Sequence, residues 1–121
     1  LILAISVFLL LIIISFSWIR FEVKATCIEA KKQYGGQCTE ALTNLIEDES
    51  SSLFVKNKAI WTLGQLADPK ALPILKDLYT GEITYRESLY TTLSQYELQK
   101  AIRWCEQGNI TNWMYADQNR W

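Results

Sequence analysis

The first nineteen positions, LILAISVFLLLIIISFSWI, carry no charge, and serine is their only polar residue type. At ~1.5 Å per residue, a helix over this stretch spans roughly 28 Å, close to the ~30 Å hydrocarbon core of a bilayer. Phe16, Trp18 and Phe21 cluster where an interfacial aromatic belt would lie, and Arg20 closes the apolar run. A buried helix of a soluble protein would be shorter or show a polar face. A signal peptide would have a shorter apolar core, about 7–15 residues, and a small-x-small cleavage site after it. The pattern predicts a transmembrane anchor over residues 1–20.

After residue 50 the apolar positions recur at helical spacing. Ala59, Ile60, Leu63, Leu66 and Ala67 form one stripe over residues 53–67, preceded by Ser50-Ser51-Ser52, a cluster suited to N-capping. Asp68-Pro69 stops that helix and opens another, because aspartate caps well and proline is tolerated in a first turn. Leu72, Leu75, Leu78 and Tyr79 make the next stripe, with Gly81 placed to end it. Thr84-Tyr85-Arg86-Glu87 reads as a capping box for a helix carrying Tyr85, Leu89, Leu93 and Tyr96. A final helix uses Leu98, Ala101, Ile102 and Cys105 and ends at Gly108. No segment alternates apolar and polar residues as a strand would. The expected fold is all-α.

The helices also repeat. Thr62-Leu63-Gly64-Gln65, Lys70-Ala71-Leu72 and Leu75 recur thirty positions later as Thr92-Leu93-Ser94-Gln95, Lys100-Ala101-Ile102 and Cys105. Thirty positions before the first set stand Glu40-Ala41-Leu42 and Leu45. The stretch NKAIWTLGQLADPKALPILKDL, residues 57–78, resembles a HEAT-like repeat of the short, phycobilisome-lyase type. The pieces that carry the resemblance are an A-x-x-x-L-G start, an Asp-Pro turn and an A-L-P-x-L second helix. It is weaker over 84–107 and reaches only half a unit over 37–49. It implies helix pairs stacked into a solenoid that serves mainly as a binding surface. Some members of that type are bilin lyases, but the resemblance covers the scaffold alone. The thirty-residue period places the partner helix of the first unit near residues 22–34, directly after the anchor. The transmembrane helix is therefore expected to continue into a short HEAT-like αα-hairpin solenoid. This divides the chain into an anchor (1–20), a repeat domain (21–108) and a tail (109–121).

Composition narrows the chemistry. The chain has no histidine, which removes Ser-His-Asp and Cys-His catalysis and most zinc and haem sites. The net charge of −1 comes without a basic stripe, so nucleic acid is not an expected partner. Glu47-Asp48-Glu49 sits beside three serines at a helix end and reads as a solvated turn. No phosphate-binding glycine loop or GxSxG elbow is present. No catalytic, cofactor-binding or metal-binding residue is assigned, and no cofactor is expected.

Cys105 falls at the repeat position of Leu45 and Leu75 and reads as a core residue. Cys27 and Cys38 leave two alternatives open. In a regular hairpin turning at Gly35-Gly36, Cys27 lies roughly 12 Å down the first helix, whereas a disulfide needs Cα atoms within about 7 Å. A bridge would require that helix to fray after Lys31 or to break before Cys27. Arg20, Lys24, Lys31 and Lys32 follow the anchor, which taken alone favours a cytoplasmic domain. The paired cysteines and the sequon Asn109-Ile110-Thr111 favour an extracytoplasmic one, and the reading leans that way.

The tail, NITNWMYADQNRW, shows no period yet carries Trp113, Met114, Tyr115 and Trp121. It is expected to leave the stack as an irregular segment, with Trp113, Tyr115 and Trp121 as candidate partner-binding residues, or to fold back and cover the last hairpin as a terminal cap. Both hold if Trp113 packs inward while Trp121 reaches out. The functional expectation is a non-catalytic, membrane-anchored scaffold, an accessory or assembly subunit among other subunits of a membrane complex. The rival is a thiol-dependent or chromophore-handling protein using a cysteine.

Overall fold

The computed structural model describes residues 1–84 and 86–121. Among the described residues five α-helices follow one another: α1 (Ile2–Tyr34), α2 (Cys38–Glu47), α3 (Leu53–Leu66), α4 (Leu72–Leu78) and α5 (Gln95–Gln107). Short 3₁₀ turns occupy Pro69–Ala71, Asn112–Tyr115 and Gln118–Arg120. The described residues contain no strand, so the chain is all-α.

α1 has two halves with different surroundings. Residues 1–10 are all exposed, as a segment without protein neighbours must be. Further along, Val23, Cys27 and Ala30 are fully buried. Their spacing of four and three puts them on one face, and that face packs on α2 and α3. A single unbroken helix of 33 residues, roughly 50 Å long, thus serves as apolar rod and as first layer of the stack.

The link from α1 to α2 settles a geometric question. Gly35 and Gly36 both adopt φ 74°, a region that costs other residues strain. With these torsions the chain doubles back beside α1, and α2 starts level with Cys27 instead of at the helix tip. α2 then climbs, so that its C-cap, Asp48, meets Tyr34 near the end of α1. The carboxylate of Asp48 accepts from Ser50 Oγ at 2.6 Å, from Ser50 N at 2.9 Å and from Tyr34 Oη at 2.5 Å. These donors, led by the Ser50 hydroxyl, lower the Asp48 carboxyl pKa to about 2.

α3 runs back towards the apolar half of α1. Its Lys58 pairs with Glu22 at 2.9 Å, and Gln65, near its end, lines a cavity with Phe16 and Ile19. Ser52 caps the start, accepting from Val55 N at 3.3 Å. Asp68 opens the next unit, accepting from Lys70 N at 3.0 Å while Pro69 stands in the first turn. α5 lies along α3 with little between them. A Cβ built on Gly64 would stand 3.0 Å from Ala101 Cα, so this glycine permits the close approach of two backbones. The core gathers Leu42, Ile60, Leu63, Leu75, Leu98 and the neighbours they enclose.

Three expectations need correction. α4 ends at Leu78, three residues before Gly81, because Gln95 takes over its end. Gln95 Nε2 donates to Leu78 O and Gln95 Oε1 accepts from Thr80 N. The helix expected from Thr84 to Tyr96 does not form among the described residues, and Tyr85 lies outside them. The operative capping signal is ten residues later, in Ser94-Gln95-Tyr96-Glu97, where Ser94 Oγ accepts from Glu97 N at 3.1 Å. Glu87, read as the third helical residue of the earlier box, reaches across instead: it accepts from Ser94 Oγ and Tyr96 N. Finally, the tail does not leave the stack: it carries two short 3₁₀ turns and folds back onto α1.

Candidate interaction surfaces and the membrane boundary

The return of the tail onto α1 builds the most elaborate polar site of the molecule. Arg20 Nη2 pairs with Asp117 Oδ2 at 3.1 Å, and Arg20 Nε donates to Met114 O at 3.3 Å. The Trp121 ring lies 5.8 Å from the Arg20 guanidinium and 6.0 Å from Lys24 Nζ, and Lys31 Nζ donates to Trp121 O. Tyr115 meets Trp121 edge to face at 6.2 Å between ring centroids. The strap therefore follows α1 from Arg20 to Lys31, roughly 16 Å at helical rise. Asn109 fixes its root, donating from Nδ2 to Gly64 O and Gln65 O at 2.9 and 3.1 Å.

The three aromatic residues singled out in the sequence take different places. Tyr115 is buried, 1 % exposed, and burial pushes its phenol above the usual range. Trp121 is partly buried against α1. Trp113 is 67 % exposed, so the inward and outward roles expected for the two tryptophans are exchanged. Trp121 lies on α1 instead, its ring facing the cationic groups of Arg20 and Lys24.

Cys27 and Cys38 stand at disulfide distance, with Cα atoms 5.3 Å apart. Neither fraying nor a break of α1 is needed, because the extended glycine link brings α2 back. Cys105 is buried, with its thiol near Leu63 O at 3.7 Å. Burial first, then the charges of Asp68 and Glu106, push that thiol up to about 12, which keeps it protonated near neutrality. Mass spectrometry of non-reduced peptides from native protein is expected to recover Cys27 and Cys38 in one linked species. Cys105 should be alkylated only after unfolding. Recovery of Cys27 and Cys38 as separate free thiols would remove the bridge.

At the opposite end of the stack, away from the apolar half of α1, lies a surface the sequence did not reveal. Phe54 and Tyr90 stack with ring centroids 4.9 Å apart and planes within 9°. Tyr90 is 73 % exposed, and Val55 and Leu89 are exposed beside them. Phe54 was legible in principle: it lies off the stripe formed by Ile60, Leu63 and Ala67. Tyr90 was not, since its segment read as helix. Among the described residues, no group of three metal-ligating side chains gathers.

Stacked helix pairs, a backbone link between layers and an exposed aromatic end define an α-solenoid of the interaction class. HEAT repeats match over residues 19–94, from the end of the apolar segment to the cap of α5, and the chain belongs to the HEAT repeat family. Such repeats are protein-interaction scaffolds. No curated protein and no solved structure matches the chain.

Proposed function

We propose that this chain is a non-catalytic, single-pass membrane scaffold, an accessory or assembly subunit that binds a protein partner at the outer end of its HEAT stack. The observation that carries the reading is α1 itself. Its first ten residues are bare of protein contact, while Val23, Cys27 and Ala30 of the same helix are fully buried in the stack. An apolar rod without protein cover fits a bilayer, and with no flexible linker behind it the domain stands at a fixed height. One helix of this length and apolarity lies near the N-terminus. The proximity of Cys27 to Cys38 supports an oxidising, extracytoplasmic compartment for the domain. The buried, protonated thiol of Cys105 supports a scaffold over a thiol-dependent activity.

The partner surface assigned is the Phe54–Tyr90 stack. Exposed aromatic side chains on a rigid scaffold are the commonest interface anchors. Gentle detergent extraction of the native membrane, followed by sizing, is expected to give a complex of defined stoichiometry. The double change Phe54→Ala and Tyr90→Ala should weaken it by ~2 kcal/mol or more while leaving the melting temperature of the chain itself little changed. A monomeric chain in mild detergent would overturn the subunit reading. A complex indifferent to the double change would move the interface elsewhere.

A further inference from the structure

We propose that the first turn of the tail, Ile110 to Trp113, is a second membrane contact, seated in the interfacial layer of a phospholipid bilayer beside α1. The proposal rests on the reading of α1 as a membrane anchor and adds a contact which that reading does not require.

Position is the first argument. Trp113 and Met114 line an apolar cavity of about 520 Å³ together with Ile13, Phe16, Ser17 and Arg20 of α1. Ile110 lines the adjoining cavity with Phe16 and Ile19. All of these helix residues except Arg20, which closes the run, belong to the uncharged segment and not to the polar stretch after it. Ile13 lies seven residues before Arg20, about 10 Å along the axis. If the bilayer surface crosses α1 near Arg20, the tail turn lies below that surface. Its depth matches the roughly 5–10 Å to which interfacial segments bury their apolar side chains.

Exposure is the second argument. Ile110 is 82 % exposed and Trp113 67 %, on a segment otherwise folded inward at Thr111, Met114 and Tyr115. The tail leaves these two side chains uncovered by the stack, beside the α1 residues with which they line the two cavities. The third argument is polar satisfaction. Trp113 Nε1 donates to Ile110 O at 2.8 Å, so the indole carries its only donor already bonded into a less polar medium. Arg20 and Asp117, which would be costly at that depth, neutralise one another at the boundary. Arg103 lines the same adjoining cavity and is placed to meet lipid phosphates. With Trp18 and Phe21 exposed on α1, the turn completes an aromatic collar around the point where the helix leaves the membrane.

The full chain, reconstituted in phosphatidylcholine vesicles with brominated acyl chains, provides the test. Emission lost in Trp113→Phe isolates Trp113, and emission lost in Trp18→Phe isolates a residue of the anchor itself. The Trp113 component is expected to be blue-shifted and quenched by shallow bromines to about the same degree as the Trp18 component. It should be shielded from aqueous iodide at least several-fold relative to free tryptophan. A Trp18 component quenched by bromolipid beside a Trp113 component quenched only by iodide would overturn the proposal and leave the anchor intact. Iodide access to both components would overturn the anchor and the proposal together.

Discussion

Replacing Asn57 with alanine is expected to release residues 79–94 from the stack and to cost roughly 2–5 kcal/mol. Asn57 is buried in α3, and its amide makes three hydrogen bonds, using both donors and its oxygen. Nδ2 donates to Leu89 O at 3.0 Å and to Thr92 O at 2.9 Å, while Oδ1 accepts from Ser94 N at 2.7 Å. Two carbonyls on one side and an N–H on the other fix the orientation of the amide. Truncation strands three main-chain groups, each worth about 1–3 kcal/mol if it stays buried and unpaired. Some of that cost is recovered if the loop opens to water, and the recovery is itself the release. Hydrogen exchange should therefore show faster exchange at the Ser94 amide and fraying of the first turn of α5, along with a lower melting temperature. Asn57→Asp separates bonding from packing. Aspartate keeps the shape and the acceptor for Ser94 but aims a carboxylate at two carbonyl oxygens. It should be at least as damaging as alanine near neutral pH. A near-neutral aspartate variant would show that Asn57 only fills space.

This residue also explains why part of the fold was hidden in the sequence. The continuation of α1 and the place of α2 followed from the thirty-residue repeat. The long apolar helix, α3, the Asp68-Pro69 turn and the end of α5 at Gly108 all rest on short-range signals: length, apolar period, caps and glycine. Such signals are readable one window at a time. Residues 79–94 are decided by groups far away in the chain. Thr84 to Glu87 carries a capping pattern, but Asn57 holds the carbonyls of Leu89 and Thr92 out of a helical ladder, and Gln95 occupies the end of α4. The thirty-residue repeat misled for the same reason. Thr92-Leu93-Ser94-Gln95 matches Thr62-Leu63-Gly64-Gln65 in three letters of four, yet the Thr62 set closes α3 and the Thr92 set leads from a loop into α5.

The cysteine pair shows the converse limit. Helical rise puts Cys27 far from a hairpin tip, and the inference from an ideal hairpin was sound for that geometry. Two glycines at positive φ replaced the tight turn with a returning strand of chain. For the tail, composition announced that the aromatic residues had work to do, but not which faced in. Trp121 meets Arg20 and Lys24, residues about one hundred positions away, and no short window of sequence displays that pairing. The Phe54–Tyr90 surface likewise joins two segments whose proximity depends on the whole stack.

Leu63→Ala and Leu75→Ala are each expected to destabilise the chain by roughly 2–5 kcal/mol, the range for a deeply buried leucine that leaves a cavity. Both side chains are fully buried, and they probe different layers: Leu63 the C-terminal half of α3, Leu75 the short α4. α3 packs against α1, α2 and α5, so a cavity at Leu63 has rigid walls and little room to collapse. α4 has seven residues and packs mainly on α5, so it can shift to close the gap. Leu63 should therefore fall at the upper end of the range and Leu75 at the lower. Gly64 supplies the opposite error at the adjacent position. Gly64→Ala would gain helix propensity of about 1 kcal/mol, but its methyl stands 3.0 Å from Ala101 Cα and 3.2 Å from Trp104 Cε3. Overpacking against backbone costs about 1–3 kcal/mol, so the variant should be neutral to destabilising and never stabilising. For a domain of this size each kcal/mol corresponds to roughly 4–8 °C in melting temperature. Thermal melts of the full chain in detergent should therefore separate the three variants. Unchanged melting for Leu63→Ala, or a rise for Gly64→Ala, would mean that α3 and α5 do not form the close-packed centre of the stack. The fixed height proposed for the outer aromatic surface above a membrane would then lose its physical basis.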